Sequence, residues 1–132
     1  MPIAVWSDSY LTGDPTVDNQ HKQLFKLVNE LHGAILGGHS QEVQGPTLKT
    51  LARYTVDHFG TEEGFMRSKG YPGLPEHQRK HEALVSRVSD LVAKFDKGEL
   101  ILPLTLSRFL SDWISHHIRE EDIEMIQWLQ RN

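Results

Sequence analysis

Apolar residues recur at helical spacing in four long segments, and this periodicity constrains the fold more than any other feature of the sequence. Glycine and proline residues separate the segments, as is typical of the turns between helices. We therefore expect an all-α protein with an N-terminal arm before the first helix. Four helices joined by short loops pack most simply as an up-down-up-down four-helix bundle, in which consecutive helices run antiparallel.

The expected ends of the helices follow from residues that cap or stop a helix. Aspartate favours the N-cap, proline is tolerated in the first turn, and glycine commonly follows the last turn. Residues 1–17 form the expected arm, Asp18 is the expected cap of the first helix, and Gly37 and Gly38 are its expected end. The second helix is expected to start between Ser40 and Pro46 and to end at Gly70. The third is expected to run from near Pro75 to Gly98, and the fourth to start at Pro103 to Thr105.

Composition limits the classes of function. A chain of 132 residues is expected to form one domain over residues 1–132, and 38% hydrophobic residues suffice for a core. The net charge of -4 and the pI near 6.0 predict no binding to nucleic acid or to an anionic membrane. The absence of cysteine excludes disulfides and thiolate metal sites. Because the sequence shows no signal peptide or long apolar span, we expect a cytoplasmic protein.

Eight histidines accompany this lack of cysteine, and imidazole with carboxylate suits iron, copper, nickel or zinc. A single buried histidine is more often a hydrogen-bonded core residue than a metal ligand. Here, however, His58 and Glu62 lie four residues apart, and so do His77 and His81. Residues at this spacing stack on one helix face with β-carbons about 5–6 Å apart, so each pair is a potential chelate.

Antiparallel packing predicts that the histidines of all four helices meet at one end of the bundle. His21 lies near the start of the first helix, level with His58 toward the end of the second. His77 begins the third helix, level with His117 past the middle of the fourth. This agreement favours a metal site over four separate core histidines. Two histidines that lie away from these positions are interpreted as surface or loop residues, His32 and His39.

Spacing alone does not decide which acidic residue at the end of the fourth helix is a metal ligand. Asp122 lies five residues after His117, and such residues point about 140° apart on a straight α-helix. Glu121 has the better spacing from His117, and Glu120 has it from His116. Asp122 is modestly favoured because it falls in an apolar row, where a buried carboxylate needs a partner. A solvated acidic face is the alternative, as for most runs of charge.

Four motifs resemble those of the hemerythrin family in its stand-alone bacterial form, over nearly the whole chain. They are VDNQHKQLF, HFGTEE, HQRKH and DWISHHIREED, and a tryptophan in the arm, Trp6, also fits. The resemblance selects His117 over His116, because a tryptophan precedes it by four residues and an isoleucine follows it. It implies that one iron is held by His77, His81 and His117, that a second is held by His21 and His58, and that both are bridged by Glu62 and Asp122.

The resemblance also implies the cofactor and the activity. The cofactor is two non-haem iron ions with an oxo or hydroxo bridge. For two octahedral ions, this ligand set leaves one coordination position open, on the iron of His21 and His58. Reversible dioxygen binding is expected there, in a dry pocket. The candidate lining residues, which serve equally as bundle core, are Leu24, Phe59, Trp113, Ile114 and Ile118.

Three rival functions fit the sequence less well. A di-iron oxidase or peroxidase of the ferritin-like type uses two Glu-x-x-His motifs, and the chain has none. Zinc hydrolysis is disfavoured because HQRKH lacks the glutamate of His-Glu-x-x-His. An oxygen sensor would need an output module, which these residues do not supply. We expect a monomeric, non-enzymatic dioxygen carrier or store, with an oxygen-using enzyme as a candidate partner.

Overall fold

The predicted all-α bundle is confirmed in the residues that the computed structural model describes, 2–38, 41–98 and 102–132. Within these ranges no helix combines the length and apolarity needed to cross a membrane. After a short 3₁₀ turn in the arm at Asp8–Tyr10, the helices are α1 (Pro15–Leu36), α2 (Gln41–Lys69), α3 (Leu74–Asp96), α4 (Leu104–His117) and α5 (Ile123–Arg131), with a π-helical turn at Ile118–Asp122 between α4 and α5.

The bundle is built from pairwise packing of these helices along their apolar faces. α1 packs against α2 and α4, and α2 packs against α1 and α3. The π turn joins α4 to α5 without a loop, so the two helices together form the long fourth helical segment of the bundle. The predicted apolar stripes are buried between the helices, and the core includes Leu24, Val28, Leu31, Leu48, Leu51, Leu84, Val88, Leu106, Leu110, Ile114 and Ile118.

The expected cap of the first helix is wrong. α1 begins at Pro15, and the Asp14 carboxylate accepts a hydrogen bond from the Val17 N–H at 2.9 Å. Proline is well suited to this first turn because it has no N–H to leave unpaired. Asp18 lies inside α1 instead. Its buried carboxylate accepts bonds from the backbone N–H and the hydroxyl of Thr12, at 2.8 and 2.7 Å, and so fastens the arm to the helix.

The other helix ends agree with expectation where the structure describes them. Gly70 and Gly98 have φ of 68° and 74°, a left-handed conformation that side chains disfavour; Gly70 follows α2 directly, and Gly98 follows α3 after Lys97. α2 begins at Gln41, inside the predicted interval, whereas Ser40 lies outside the described residues. Pro46 lies within α2, so the proline does not start the helix.

The N-terminal arm lies along α1 and covers part of the core. Asn29 holds it in place, because the Asn29 side chain accepts from the Ala4 N–H at 2.8 Å and donates to the Ala4 carbonyl at 2.8 Å. Trp6 and Tyr10 pack edge-on against Phe25 of α1, with ring centroids 5.3 and 5.0 Å away. The arm therefore extends the core beyond the four helices.

Candidate metal centre

Seven buried histidine and carboxylate side chains meet at one end of the bundle, and every predicted ligand is among them. They form two groups, and within each group one ligand atom from every residue lies within 4.8 Å of the ligand atoms of the others. Glu62 and Asp122 belong to both groups. The first group is Glu62, His77, His81, His117 and Asp122, and the second is His21, His58, Glu62 and Asp122.

The geometry of regular helices explains how most of these side chains meet. His58 Nε2 and Glu62 Oε2, one turn apart on α2, are separated by 3.3 Å. His77 and His81, one turn apart on α3, have ring centroids 4.6 Å apart. Antiparallel packing brings the start of α1 to the same level, where His21 Nε2 lies 3.3 Å from Glu62 Oε2. Three helices thus present ligands to one point.

Asp122 reaches the cluster through the π-helical turn. A π turn holds one more residue than an α-helical turn, so residues five apart come to one face of the helix. The separation of about 140° expected for a straight α-helix therefore does not apply to His117 and Asp122. Asp122 Oδ1 lies 3.1 Å from His117 Nε2 and 3.0 Å from His77 Nε2, and Oδ2 lies 3.0 Å from His21 Nε2.

The alternative ligands at the end of α4 lie elsewhere. His116 and Glu120 are exposed, whereas His117 is buried. Glu121 faces the outer nitrogen of His117, with Oε1 3.2 Å from Nδ1, and its other oxygen accepts from Lys80 at 3.0 Å. Glu121 therefore contacts a clustered histidine from outside the cluster.

The buried carboxylates of the cluster favour positive charge on the histidines around them. Burial alone would lower the pKa of His21, but the nearby carboxylates of Asp122 and Glu62 outweigh it and raise that pKa to about 9. The same balance raises the pKa of His77 to about 9 and that of His117 to about 10. Burial opposes ionisation of Glu62 and Asp122, yet the surrounding histidines hold the pKa of both carboxyls well below its usual range.

Several buried polar atoms at the centre of the cluster make no hydrogen bond to any described residue, including both oxygens of Asp122 and one of Glu62. Such atoms are costly to bury unless a partner compensates them. His81 Nε2 and His117 Nε2 lie 3.0 Å apart. If both imidazoles were neutral and carried their protons on the outer nitrogens, the lone pairs of the two Nε2 atoms would face and repel each other. A cation between the rings removes this repulsion and satisfies the carboxylates, so the donor set fits metal ions.

Comparison with known proteins places this geometry in a family. The family model described as the hemerythrin HHE cation binding domain matches residues 12–129. The bacteriohemerythrin of Methylococcus capsulatus is 36% identical over 123 residues, which cover 92% of this chain and 93% of that protein. The chain belongs to the hemerythrin family.

More distant hemerythrins and solved structures agree. The myohemerythrin of Riftia pachyptila is 28% identical over 120 residues and covers 91% of this chain and 88% of its own length. A crystal structure of wild-type hemerythrin superposes with a TM-score of 0.90 at 34% identity, covering 95% of this chain and 96% of that chain. Hemerythrins hold a non-haem di-iron centre, and the two overlapping ligand groups accord with two ions.

The five predicted pocket residues line one small cavity beside the second ligand group. Its volume is about 10 Å³, close to the least that one water molecule needs. Thr55 of α2 also lines this cavity, although it was not among the predicted pocket residues. The wall consists of Leu24, Thr55, Phe59, Trp113, Ile114 and Ile118, and the cavity also reaches His21, His58, His117 and Asp122.

Sequence reasoning missed the residues that contact the outer nitrogens of the clustered imidazoles. His58 Nδ1 donates to Gln20 Oε1 at 2.6 Å, and His81 Nδ1 donates to Glu63 Oε2 at 2.9 Å. Glu121 accepts from His117 in the same way. Such bonds fix the tautomer and leave Nε2 free to face a metal. Gln20 and Glu63 lie next to His21 and Glu62 in sequence, which was the signal available.

His32 was interpreted as a surface or loop residue, and this is wrong. It is half-buried on α1, and its Nδ1 donates to Ser107 Oγ on α4 at 2.8 Å. The Ser107 hydroxyl donates in turn to the Leu104 carbonyl at 3.1 Å. His32 thus joins two helices away from the metal cluster. His39 lies outside the described residues.

Proposed function

We propose that this chain binds dioxygen reversibly at a non-haem di-iron centre, as a carrier, store or delivery protein. One observation carries the proposal above the others. Two buried ligand groups share Glu62 and Asp122, and a small, mostly apolar cavity touches both histidines of the two-histidine group but only His117 of the other. Membership of the hemerythrin family supports the same function.

In this proposal the seven clustered residues would hold two irons together with an oxo or hydroxo bridge. Ferrous ions bound there would supply the electrons that dioxygen binding requires. Glu62 and Asp122 each present two oxygens and therefore suit bridging positions. The remaining assignments are His77, His81 and His117 to one ion and His21 and His58 to the other.

The task of the apolar wall in this proposal is to admit a diatomic molecule and keep water out. Leu24, Ile114 and Ile118 are each at most 5% exposed, so bulk water has no wide path past them. The Thr55 hydroxyl donates its proton to the Leu51 carbonyl at 2.7 Å and is not free to donate into the cavity. A dry, unreactive wall favours the return of dioxygen over its chemical conversion.

The same features support a binding protein more than an enzyme. The histidine-rich donor set carries less negative charge than the carboxylate-rich sites of ferritin-like oxidases, and it therefore stabilises high-valent iron less. We further propose that residues 1–132 act as a single monomeric domain, with dioxygen as ligand and an oxygen-using enzyme as a candidate recipient.

Metal analysis followed by oxygen uptake tests the proposal. Purified protein should contain about two irons per chain, and the reduced protein should take up about one dioxygen per iron pair. An iron content that stays near one per chain would contradict the ligand assignment. Full iron content without oxygen uptake would contradict the function and leave the metal centre standing.

A further inference from the structure

The outer nitrogens of the clustered imidazoles have different partners in the two ligand groups. In the three-histidine group, His81 and His117 donate to carboxylates, Glu63 at 2.9 Å and Glu121 at 3.2 Å. In the two-histidine group, His58 donates to the neutral amide of Gln20 at 2.6 Å. The Nδ1 atom of His21 is buried and has no hydrogen-bond partner among the described residues.

Other side chains hold the two outer carboxylates in position. Gln78 Nε2 donates to Glu63 Oε1 at 2.9 Å, which leaves Oε2 for the imidazole. Lys80 donates to Glu121 Oε2 at 3.0 Å, which leaves Oε1 for its imidazole. Each glutamate thus presents one oxygen to a histidine, so the contacts are part of a wider network of bonds between α2, α3 and the π turn.

A carboxylate partner and an amide partner affect a metal-binding imidazole differently. A carboxylate draws the Nδ1 proton toward itself, places more negative charge on the ring and makes Nε2 a stronger ligand for a metal ion. An amide oxygen carries no net charge and does this less. An imidazole with no outer partner, as at His21, also lacks a bond that fixes its orientation and tautomer.

We propose that these contacts make the two iron positions unequal, so that the three-histidine position binds iron more tightly and the two-histidine position loses it first. Glu63 and Glu121 act as positioning residues that strengthen the first site, and Gln20 keeps the second site weaker. The proposal rests on the proposed di-iron function. It adds an order of metal loss and names the residues that set it.

Iron release from the intact, iron-loaded chain tests the proposal. A ferrous chelator should remove one iron in a fast phase and the other in a slow phase. Glu63→Gln keeps the shape of the side chain and removes its charge, so it should speed the slow phase by about 10–100-fold. Gln20→Glu adds a charge at the same reach and should slow the fast phase. Glu82→Gln makes the same charge change at an exposed neighbour of His81 and should alter neither phase.

Release of both irons in one phase from the unchanged chain would overturn the proposal, as would a Glu63→Gln variant that speeds only the fast phase. A starting content below about two irons per chain would contradict the di-iron function itself, so the two failures are distinguishable. Circular dichroism and the visible spectrum of each loaded variant before chelation show whether fold and cluster are intact. A Glu63→Gln variant that loads two irons and keeps the order and rates of the unchanged chain also overturns the proposal.

Discussion

At the scale of single residues, each clustered histidine has two nitrogens with different surroundings. For His58, Nε2 lies 3.3 Å from Glu62 inside the cluster, and Nδ1 donates outward to Gln20. His116, on α4, is exposed. The contrast between a buried histidine with two oriented nitrogens and an exposed one allows the ligand assignment to be tested by single substitutions.

We predict that His58→Ala lowers the iron content from about two per chain to about one or less, because the second ligand group keeps only one histidine. His116→Ala is the matched control and should keep the full content, since it changes an exposed side chain of the same type. Iron is measured by elemental analysis of protein purified under identical conditions. Equal losses from both variants would show that the assignment at the end of α4 is wrong.

The cavity wall gives a second prediction at this scale. Ile118→Ser or Trp113→Ala should admit water beside the second ligand group and speed conversion of the oxygenated protein to an inactive oxidised form. The iron content should change little, because neither side chain is among the clustered donors. The rate is followed by the decay of the visible spectrum.

Leu31→Ser is the control for general loss of stability. It also places a hydroxyl at a fully buried core position, but Leu31 does not line the cavity. The interpretation fails if Leu31→Ser speeds the decay as much as Ile118→Ser does.

At the scale of elements, the π-helical turn is the feature that completes the cluster. It allows residues 117 and 122 to share a face although they are five apart. Deleting the exposed Glu120 would leave a separation of four, which an ordinary α-helix also places on one face. We therefore predict that the deletion removes the π turn and retains both irons.

The matched control is deletion of Arg79, which is exposed in the regular helix α3 between His77 and His81. That deletion changes a favourable separation of four to three and shifts the register of every later residue of α3. It should reduce iron content, measured as before. Retention of iron after the Arg79 deletion and loss after the Glu120 deletion would contradict this account of the π turn.

How far the sequence predicted these elements depends on whether regular helix geometry applies. It does for the pairs at 58 and 62 and at 77 and 81, whose placement follows from a spacing of four. It fails at Asp122, because residue spacing does not reveal the local change in backbone hydrogen bonding that forms the π turn. It also fails for the α1 cap, because the carboxylate of the expected cap, Asp18, bonds Thr12 instead and Asp14 caps the helix. Contacts such as His81 with Glu63 depend on the packing of neighbouring helices.

At the scale of the whole molecule, the metal cluster and the bundle stabilise each other. The ligands come from α1, α2, α3, α4 and the end of the π turn, so bound ions would cross-link all four helical segments of the bundle. Without metal, the buried carboxylates and imidazoles depend on protons for compensation. The apolar core is made of other side chains, which pack against one another without a metal ligand among them.

We predict that iron removal lowers the melting temperature by roughly 10 °C or more, because metal that binds only the folded state adds stability by mass action. Helix content near room temperature should stay mostly unchanged, because the core holds the helices. Circular dichroism of matched loaded and metal-free samples measures both quantities. Identical melting curves would falsify the coupling between the cluster and the fold.

Reversible oxygen binding is the central claim, and one spectroscopic cycle tests it most directly. The protein is reduced without oxygen, exposed to oxygen and then returned to an oxygen-free atmosphere, while the visible spectrum and the hydrogen peroxide released are recorded. The account predicts a nearly colourless reduced protein that becomes coloured with oxygen, loses the colour when oxygen is removed, and repeats the cycle without peroxide release. Release of hydrogen peroxide at every cycle, with no recovery of the reduced spectrum, would contradict it and make the chain an oxidase.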